Sequence, residues 1–377
     1  MQKAYIESSN AISSLGFTTE DNYNNIIAGN SGVKTIDNSD LSATKFPASS
    51  IKDSEIEKRF SQIENGKTYT RFEKLAILSI DQAIKNSKID LSTERTLFIL
   101  STTKGNIELL DENLTKDFEA SRLELHPTAK IIADFFNLKN TPLVVSNACI
   151  SGVAAIVLAQ RLIRLGKYDH VIVNGTDVLS RFVISGFQSF HSLSPETCKP
   201  FDANRVGLNL GEGSATIIVT KEKTNIEVVR GATSNDANHI SGPSRTAEGL
   251  LVSINNTIGD NKNIDFISAH GTATPYNDDM ESQGISRAGL DKVSTNSMKA
   301  YFGHTLGAAG VIESVISIEA MKNNSLIKTL GCDTVGVVQE INVCQKSEDK
   351  DIKSVLKLAS GFGGGNAAVL FTKTSSK

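Results

Sequence analysis

The chain lacks most of what would mark a secreted scaffold, a membrane protein or a nucleic-acid binder. Its 377 residues include four cysteines, Cys149, Cys198, Cys332 and Cys344. No two of them form a C-x-x-C pair and no histidine stands at zinc-ligand spacing, so neither a disulfide framework nor a zinc module is expected. In a chain of this size, unpaired cysteines point to a reducing, cytoplasmic setting. Charge is nearly balanced: 39 Lys and Arg against 42 Asp and Glu give a net −3. That leaves no basic footprint for nucleic acid. No apolar run approaches the roughly 18 residues of a spanning helix. The start, "MQKAYIESSNAISSLG", has no basic stretch followed by an apolar core, so no secretory leader is expected. There is no G-x-S-x-G elbow, and the glycine turns "GEG" and "GFGGGN" lack dinucleotide or P-loop spacing, so no phosphate role is assigned to them.

What is present is an alternation of short apolar strands with helical patterns. "RTLFILSTT" (95–103), "PLVVSN" and "HVIVNGTDV" (170–178) read as buried strands. "YTRFEKLAILSIDQAIKNS" and residues 150–165 read as helices, and "KGNIELLDENLTKDFEASRLE" as a charged, peripheral helical segment. This is an α/β pattern with sheets covered on both faces. "LGEGSATIIVTK" (210–221) also aligns without gaps with "FGGGNAAVLFTK" (362–373). The repeat is either a chance pair of hairpins or the mark of two duplicated halves joined near "KEKTN" (221–225). The expected division is 1–222 and 223–377.

Three positions draw attention as chemistry. Cys149 falls between a strand and a helix, where unpaired N–H groups and the helix dipole favour thiolate. That placement predicts a lowered thiol pKa, against the alternative of an inert packed cysteine. Gly152, three residues on, leaves room for another backbone or a substrate. His270 ends the apolar run of "FISAHGTATPYNDDMES", and His304 precedes the small-residue start "LGAAG" in "NSMKAYFGHTLGAAGVIESV", which also carries Lys299 and Glu313.

Cys149 in "NACISG", His270 in "AHGTATPYND" and His304 in "KAYFGHTLGAAG" resemble the Cys–His–His triad of the β-ketoacyl-acyl-carrier-protein (ACP) synthases, the KAS I/II branch of the thiolase superfamily. The resemblance runs over nearly the whole chain, through "KPFDANRVGLNLGEGSATIIV", "DANHISGPS" and "ASGFGGGNAAVLF". It implies the thiolase fold, two duplicated βαβαβ-type halves in a five-layer α-β-α-β-α sandwich, with the nucleophile in the first half and both histidines in the second. It implies a decarboxylative Claisen condensation. Cys149 takes an acyl chain from ACP, malonyl-ACP loses CO₂, and the enolate attacks the thioester. In that scheme His270 and His304 bind the enolate oxygen. The N–H groups of Cys149 and Phe362 form the oxyanion hole, and Lys299, paired with Glu313, sets the electrostatics. Thr272 and Thr274 bind the phosphopantetheine arm. Phe362, with Gly363, gates the acyl site that Ile150 helps to shape, and Asp236 and His239 support it. No cofactor or metal is implied beyond the phosphopantetheine carried by ACP. The implied partners are ACP and a second subunit, in a homodimer or a heterodimer with a chain-length-factor-like chain. "HVIVNGTDV" or the strand before Cys149 is expected near the two-fold axis, and no membrane span is expected.

The sequence departs from the family in places. Ile150 replaces a common Ala, "AYF" follows Lys299, Gly365 replaces a usual Thr, and the stretch between Cys149 and His270 is short. These tilt the reading toward polyene or polyketide assembly rather than fatty-acid elongation. Degradative thiolases need a second cysteine in the C-terminal glycine motif, and the KAS III branch carries Asn in place of one histidine. The rival of a different kind is a non-catalytic chain-length factor, but such subunits lack the nucleophilic cysteine.

Overall fold

The structure, a computed structural model, describes residues 2–374; residue 1 and residues 375–377, the outer ends of the two expected halves, lie outside the described residues. Two sets of five strands carry the fold. The first comprises β1 (Tyr5–Ile12), β2 (Thr96–Ser101), β3 (Leu143–Val145), β4 (His170–Asp177) and β5 (Gly213–Thr220). The second comprises β6 (Ile226–Asn235), β7 (Phe266–Ser268), β8 (Ser294–Asn296), β9 (Ser354–Gly361) and β10 (Gly365–Lys373). Their spatial orders are β3-β2-β4-β5-β1 and β8-β7-β9-β10-β6. In each set the first strand runs antiparallel to the fifth and the fifth antiparallel to the fourth. The remaining two are parallel additions. The arrangement is a duplication, and the repeated sequence falls on its equivalent strands β5 and β10. The two sheets join at one corner, where Tyr5 pairs with Glu227.

Period-two burial places the layers. On β2, Leu97 and Ile99 face the middle of the molecule, and Phe98 and Leu100 face outward. On β9, Val355 and Ala359 face the middle, and Leu356 and Leu358 face outward. Helices α1 (Arg71–Lys85) and α2 (Leu125–Phe135) cover the outer face of the first sheet. α4 (Glu248–Ile258) and α5 (Pro275–Arg287) cover that of the second. Between the sheets lie α3 (Ser151–Arg164) and α6 (Ala309–Lys322), both 14 residues long. The result is five layers, α-β-α-β-α. Each fully buried aliphatic side chain in these seams contributes about 1.5–3 kcal/mol. α1 begins on a capping box: Thr70 accepts from the Glu73 N–H and Glu73 reaches back to the Thr70 N–H, an arrangement worth about 1 kcal/mol.

The middle helices cross on glycines. A Cβ on Gly152 would lie 2.7 Å from the Val311 N and 2.9 Å from the Gly310 Cα, and one on Gly310 would lie 2.6 Å from the Val153 N. The space at Gly152 is therefore used by another backbone. This close crossing brings the segments leading into α3 and α6 together.

One segment differs from its sequence reading. Residues 104–124 form three short helical pieces, 3₁₀ at Ile107–Leu110 and Ala120–Leu123 and α at Glu112–Thr115, rather than a continuous helix. The buried Asn106 amide straps them down, donating to Glu73 Oε1, the Arg122 carbonyl and Thr128 Oγ1. Tertiary hydrogen bonds override a weak helical pattern here. β4 lies inside its sheet, between β2 and β5, while β3 is an edge strand with Leu143 40% exposed. Of the two strands considered for a two-fold contact, only β3 offers an unpaired edge. No helix among the described residues is long and apolar enough to cross a membrane.

Candidate active site

Cys149 sits on a tight elbow after β3, next to Ala148, whose φ of 44° is left-handed. α3 begins two residues later, at Ser151, whose hydroxyl accepts from the Asn147 N–H and donates to the Ala148 carbonyl. The thiol is 7% exposed, at the floor of a cavity of about 350 Å³. From the other half, β9 closes over it. A Cβ on Gly361 would stand 3.0 Å from the Cys149 N and 3.2 Å from its Cβ, so any larger residue would press on the elbow.

His304 lies on the segment leading into α6. Its Nδ1 accepts the Leu306 N–H at 3.3 Å, which in a neutral ring leaves the proton on Nε2. That Nε2–H points at Cys149 Sγ, 3.0 Å away. His270 lies across from it, ring centroids 5.1 Å apart and planes at 82°. Burial, then the Lys299 and Lys357 ammonium groups, hold both rings well below the usual histidine range, so both are neutral. The Sγ and ring nitrogens lie within 4.8 Å of one another, a donor set of the kind that binds zinc. The 3.0 Å contact is nevertheless a hydrogen bond: Cys and His ligands spread tetrahedrally around zinc stand about 3.5 Å apart.

The backbone that presents His270 is clamped by α5, which starts with Pro275 in its first turn. Glu281 accepts the N–H groups of His270 and Gly271 at 2.5 and 2.7 Å. Asp278 accepts those of Thr272, Ala273 and Phe201. These carboxylates sit three residues apart, on one face of the helix. Burial pushes Glu281 up to about 7 and Asp278 to about 6. Asp177, at the end of β4, works in the same way on the other histidine. It accepts from Thr102 Oγ1, from Thr103 and from the Gly307 N–H at 2.7 Å, fixing the turn between His304 and α6.

Below the histidines lies a buried ionic group. Lys299 Nζ meets Glu313 Oε1, and Lys357 Nζ lies 2.6 Å from Glu313 Oε2. Burial alone would raise the Glu313 carboxyl, but the two ammonium groups hold it below the ordinary range.

The thiol departs from its sequence reading. Burial pushes Cys149 up to about 11, and Lys299, the Phe362 N–H and Lys104 recover only part of that. Full burial outweighs the helix start, which lies two residues further on, so the resting nucleophile is a thiol. Cys198, Cys332 and Cys344 are pushed to about 12.

The cavity mouth is aromatic. Phe362 stacks on Phe187 at 5.8 Å and meets Phe190 edge-on at 5.5 Å. Gly363 and Gly364 follow it with φ of 79° and 75°, a left-handed pair that only glycine adopts without strain. Thr272 and Thr274 line the cavity with their hydroxyls 2.8 Å apart. Asp236 holds the glycine loop, accepting from Asn366 Nδ2 at 3.0 Å while its N–H donates to the Gly364 carbonyl. His239 is exposed at the rim, its Nδ1 accepting the Gly242 N–H. Two residues read as substrate-binding lie elsewhere. Ile150 is fully buried in the middle seam, against Gly365, and Gly363 is not part of the cavity wall.

A cysteine and two neutral histidines thus lie under an aromatic-rimmed cavity in a duplicated five-layer fold. The Beta-ketoacyl synthase N-terminal domain matches residues 5–225 and its C-terminal domain residues 226–333. The chain belongs to the beta-ketoacyl synthase family. It is 28% identical to 3-oxoacyl-acyl-carrier-protein synthase 2 of Coxiella burnetii, over 96% of each chain, and 26% identical to the enzyme of that name from Vibrio cholerae, over 96% and 97%. Among solved structures it is similar to a ketosynthase in complex with its chain length factor from Xenorhabdus doucetiae, with a TM-score of 0.87, 25% identity and coverage of 99% and 98%. A beta-ketoacyl synthase from Burkholderia phymatum shares the fold, with a TM-score of 0.87 and 23% identity over the full length of both. This ketosynthase is thus an acyltransferase of the condensing type.

Lys357, Asp177, Glu281 and Asp278 escape a reading of the sequence by motif. The lysine had a signal: it interrupts the apolar strand "SVLKLASG". The carboxylates of "PYNDDMES" look like a polar turn until α5 aligns them.

Proposed function

We propose that Cys149 carries the growing acyl chain and that His270 and His304 hold the malonyl-derived enolate, in a condensation fed by ACP. The observation that carries this reading is the His304 Nε2–H aimed at Cys149 Sγ, with a second neutral histidine beside it. In the first stage Sγ bonds to the acyl carbonyl carbon and the phosphopantetheine thiol leaves with the proton. The N–H groups of Cys149 and Phe362 face the developing oxyanion. In the second stage the malonyl C–C bond breaks and CO₂ departs. The electron pair settles on the thioester oxygen, between the two imidazole N–H groups. The enolate carbon then attacks the acyl carbonyl, the C–S bond breaks, and Cys149 leaves as a thiolate that takes a proton from solvent to restore the thiol. Neutral histidines suit this task, since each retains a proton to donate. Lys299 acts through Glu313. Thr272 and Thr274 receive the phosphopantetheine arm, and Phe362 gates the exchange of acyl for malonyl groups.

The nucleophile comes from the half ending near residue 222, and the histidines from the half that follows. The chemistry takes place without a further cofactor. A cytoplasmic dimer, with itself or with a chain-length-factor-like partner, would pair along the open β3 edge. The test is intact mass after incubation with acyl-ACP and then malonyl-ACP. The expected result is a thioester adduct that disappears as β-ketoacyl-ACP forms, with neither step in Cys149→Ala. A wild-type protein that takes no acyl group from any carrier would refute the reading.

A further inference from the structure

Lys357 occupies a place where the fold calls for an apolar residue. It lies on β9 between Val355 and Ala359, which face the middle seam, and it is fully buried. In the first half the equivalent position is Val173, because Val173 pairs with Ile217 as Lys357 pairs with Val369 on the repeated strand. A lone ammonium here is costly to bury, and the neighbouring groups show what it holds. Its Nζ donates to the carbonyls of Ser268 and Ala269 at 3.2 and 3.0 Å and faces Glu313 at 2.6 Å. These carbonyls immediately precede His270, whose own N–H and that of Gly271 are taken by Glu281. The peptide run 268–271 is therefore gripped on its acceptor side by Lys357 and on its donor side by Glu281.

The same ammonium changes the charge of the site. Lys299 and Glu313 cancel, and Lys357 adds a positive charge that faces a second carboxyl, Glu281, which burial pushes up to about 7. Both ammonium groups act on His270 and His304 through space.

We propose that Lys357 is a positioning residue for the decarboxylation stage, fixing His270 through the Ser268–Ala269 carbonyls and supplying a positive charge that favours the enolate. This rests on the two-stage reading above. The acylation stage needs neither function, so the two half-reactions separate the roles.

Lys357→Met keeps the length and removes the charge. It is expected to lower malonyl-ACP decarboxylation about tenfold or more in kcat, with KM and the rate of Cys149 acylation within about threefold of wild type. A pH profile supplies a readout that packing alone would not move. The groups facing Lys357 are Glu313, Lys299, Glu281 and, further off, His270 and His304. Burial lowers its pKa against the pull of Glu313. Wild-type decarboxylation should therefore fall on the alkaline side, below the ordinary lysine range, and Lys357→Met should lack that limb.

A Lys357→Met protein that decarboxylates at the wild-type rate overturns the proposal, as does an equal loss of both half-reactions. If Lys357→Met does not fold, Lys357→Gln, which keeps N–H donors for the two carbonyls, is read in the same assays. In that case the absence of an alkaline limb in the wild-type enzyme overturns the proposal by itself. A wild-type protein that accepts no acyl group would instead refute the two-stage reading, leaving the two failures distinct.

Discussion

The two halves of the molecule share one topology and fill it with opposite chemistry. Where β4 of the first half carries Val173, β9 of the second carries Lys357. α3 and α6, equal in length and crossing at Gly152 and Gly310, place Ala155 where the second half has Glu313. The first half thus packs its strand–helix seam with hydrocarbon, and the second buries an ionic group in it. The strand ends differ as well. Asp177 and Gly361 occupy equivalent positions, and each reaches into the other half's elbow. Asp177 accepts the Gly307 N–H beside His304, and Gly361 leaves room for Cys149. The duplication supplies a rigid frame with two facing elbows. Divergence at a few inward positions made one of them a nucleophile and the other a holder of negative charge.

The largest effect should come from forcing the halves to be alike. Val173→Lys places an ammonium opposite Ala155 with no carboxylate to meet it, and should cost about 3–5 kcal/mol in a urea melt. Adding Ala155→Glu should recover part of that loss. A Val173→Lys protein within about 1 kcal/mol of wild type would mean that the seam of the first half tolerates charge, and the contrast would fail.

A smaller effect sharpens the account of the thiol. With Cys149 pushed up to about 11, its thiolate fraction rises with pH throughout the neutral range. Alkylation by iodoacetamide should therefore accelerate about tenfold per pH unit between about pH 7 and 9, without a plateau. Cys149 should react ahead of Cys198, Cys332 and Cys344, which are pushed higher and lie away from the cavity. A plateau near neutral pH would show instead that the start of α3 sets the thiol, as position in the sequence suggests.

That contrast also marks how far the sequence could be read. The repeat at 210–221 and 362–373 was visible because equivalent turns and strands kept their glycines. Cys149 and His270 were visible because each ends an apolar run, His304 because it precedes the small-residue stretch "LGAAG", and Lys299 because its segment resembles the family motif. Asp177, Glu281, Asp278 and Lys357 act on backbone groups 5 to 130 residues away in the chain, and no local pattern encodes such a partner. The direction of the Cys149 shift was misjudged because a helix start can be read from sequence, whereas complete burial under the other half cannot. Ile150 and Gly363 were placed at the substrate by the family resemblance, but the Ile150 side chain turns into the seam and Gly363 is not among the residues lining the cavity.

The central claim is the division of labour between the halves, and His304→Ala tests it most directly when the two half-reactions are measured separately. The account predicts that the variant still takes an acyl group onto Cys149, while malonyl-ACP decarboxylation falls about 10²–10³-fold and condensation falls with it. A His304→Ala protein that condenses near the wild-type rate, or that decarboxylates normally but cannot be acylated, would contradict it.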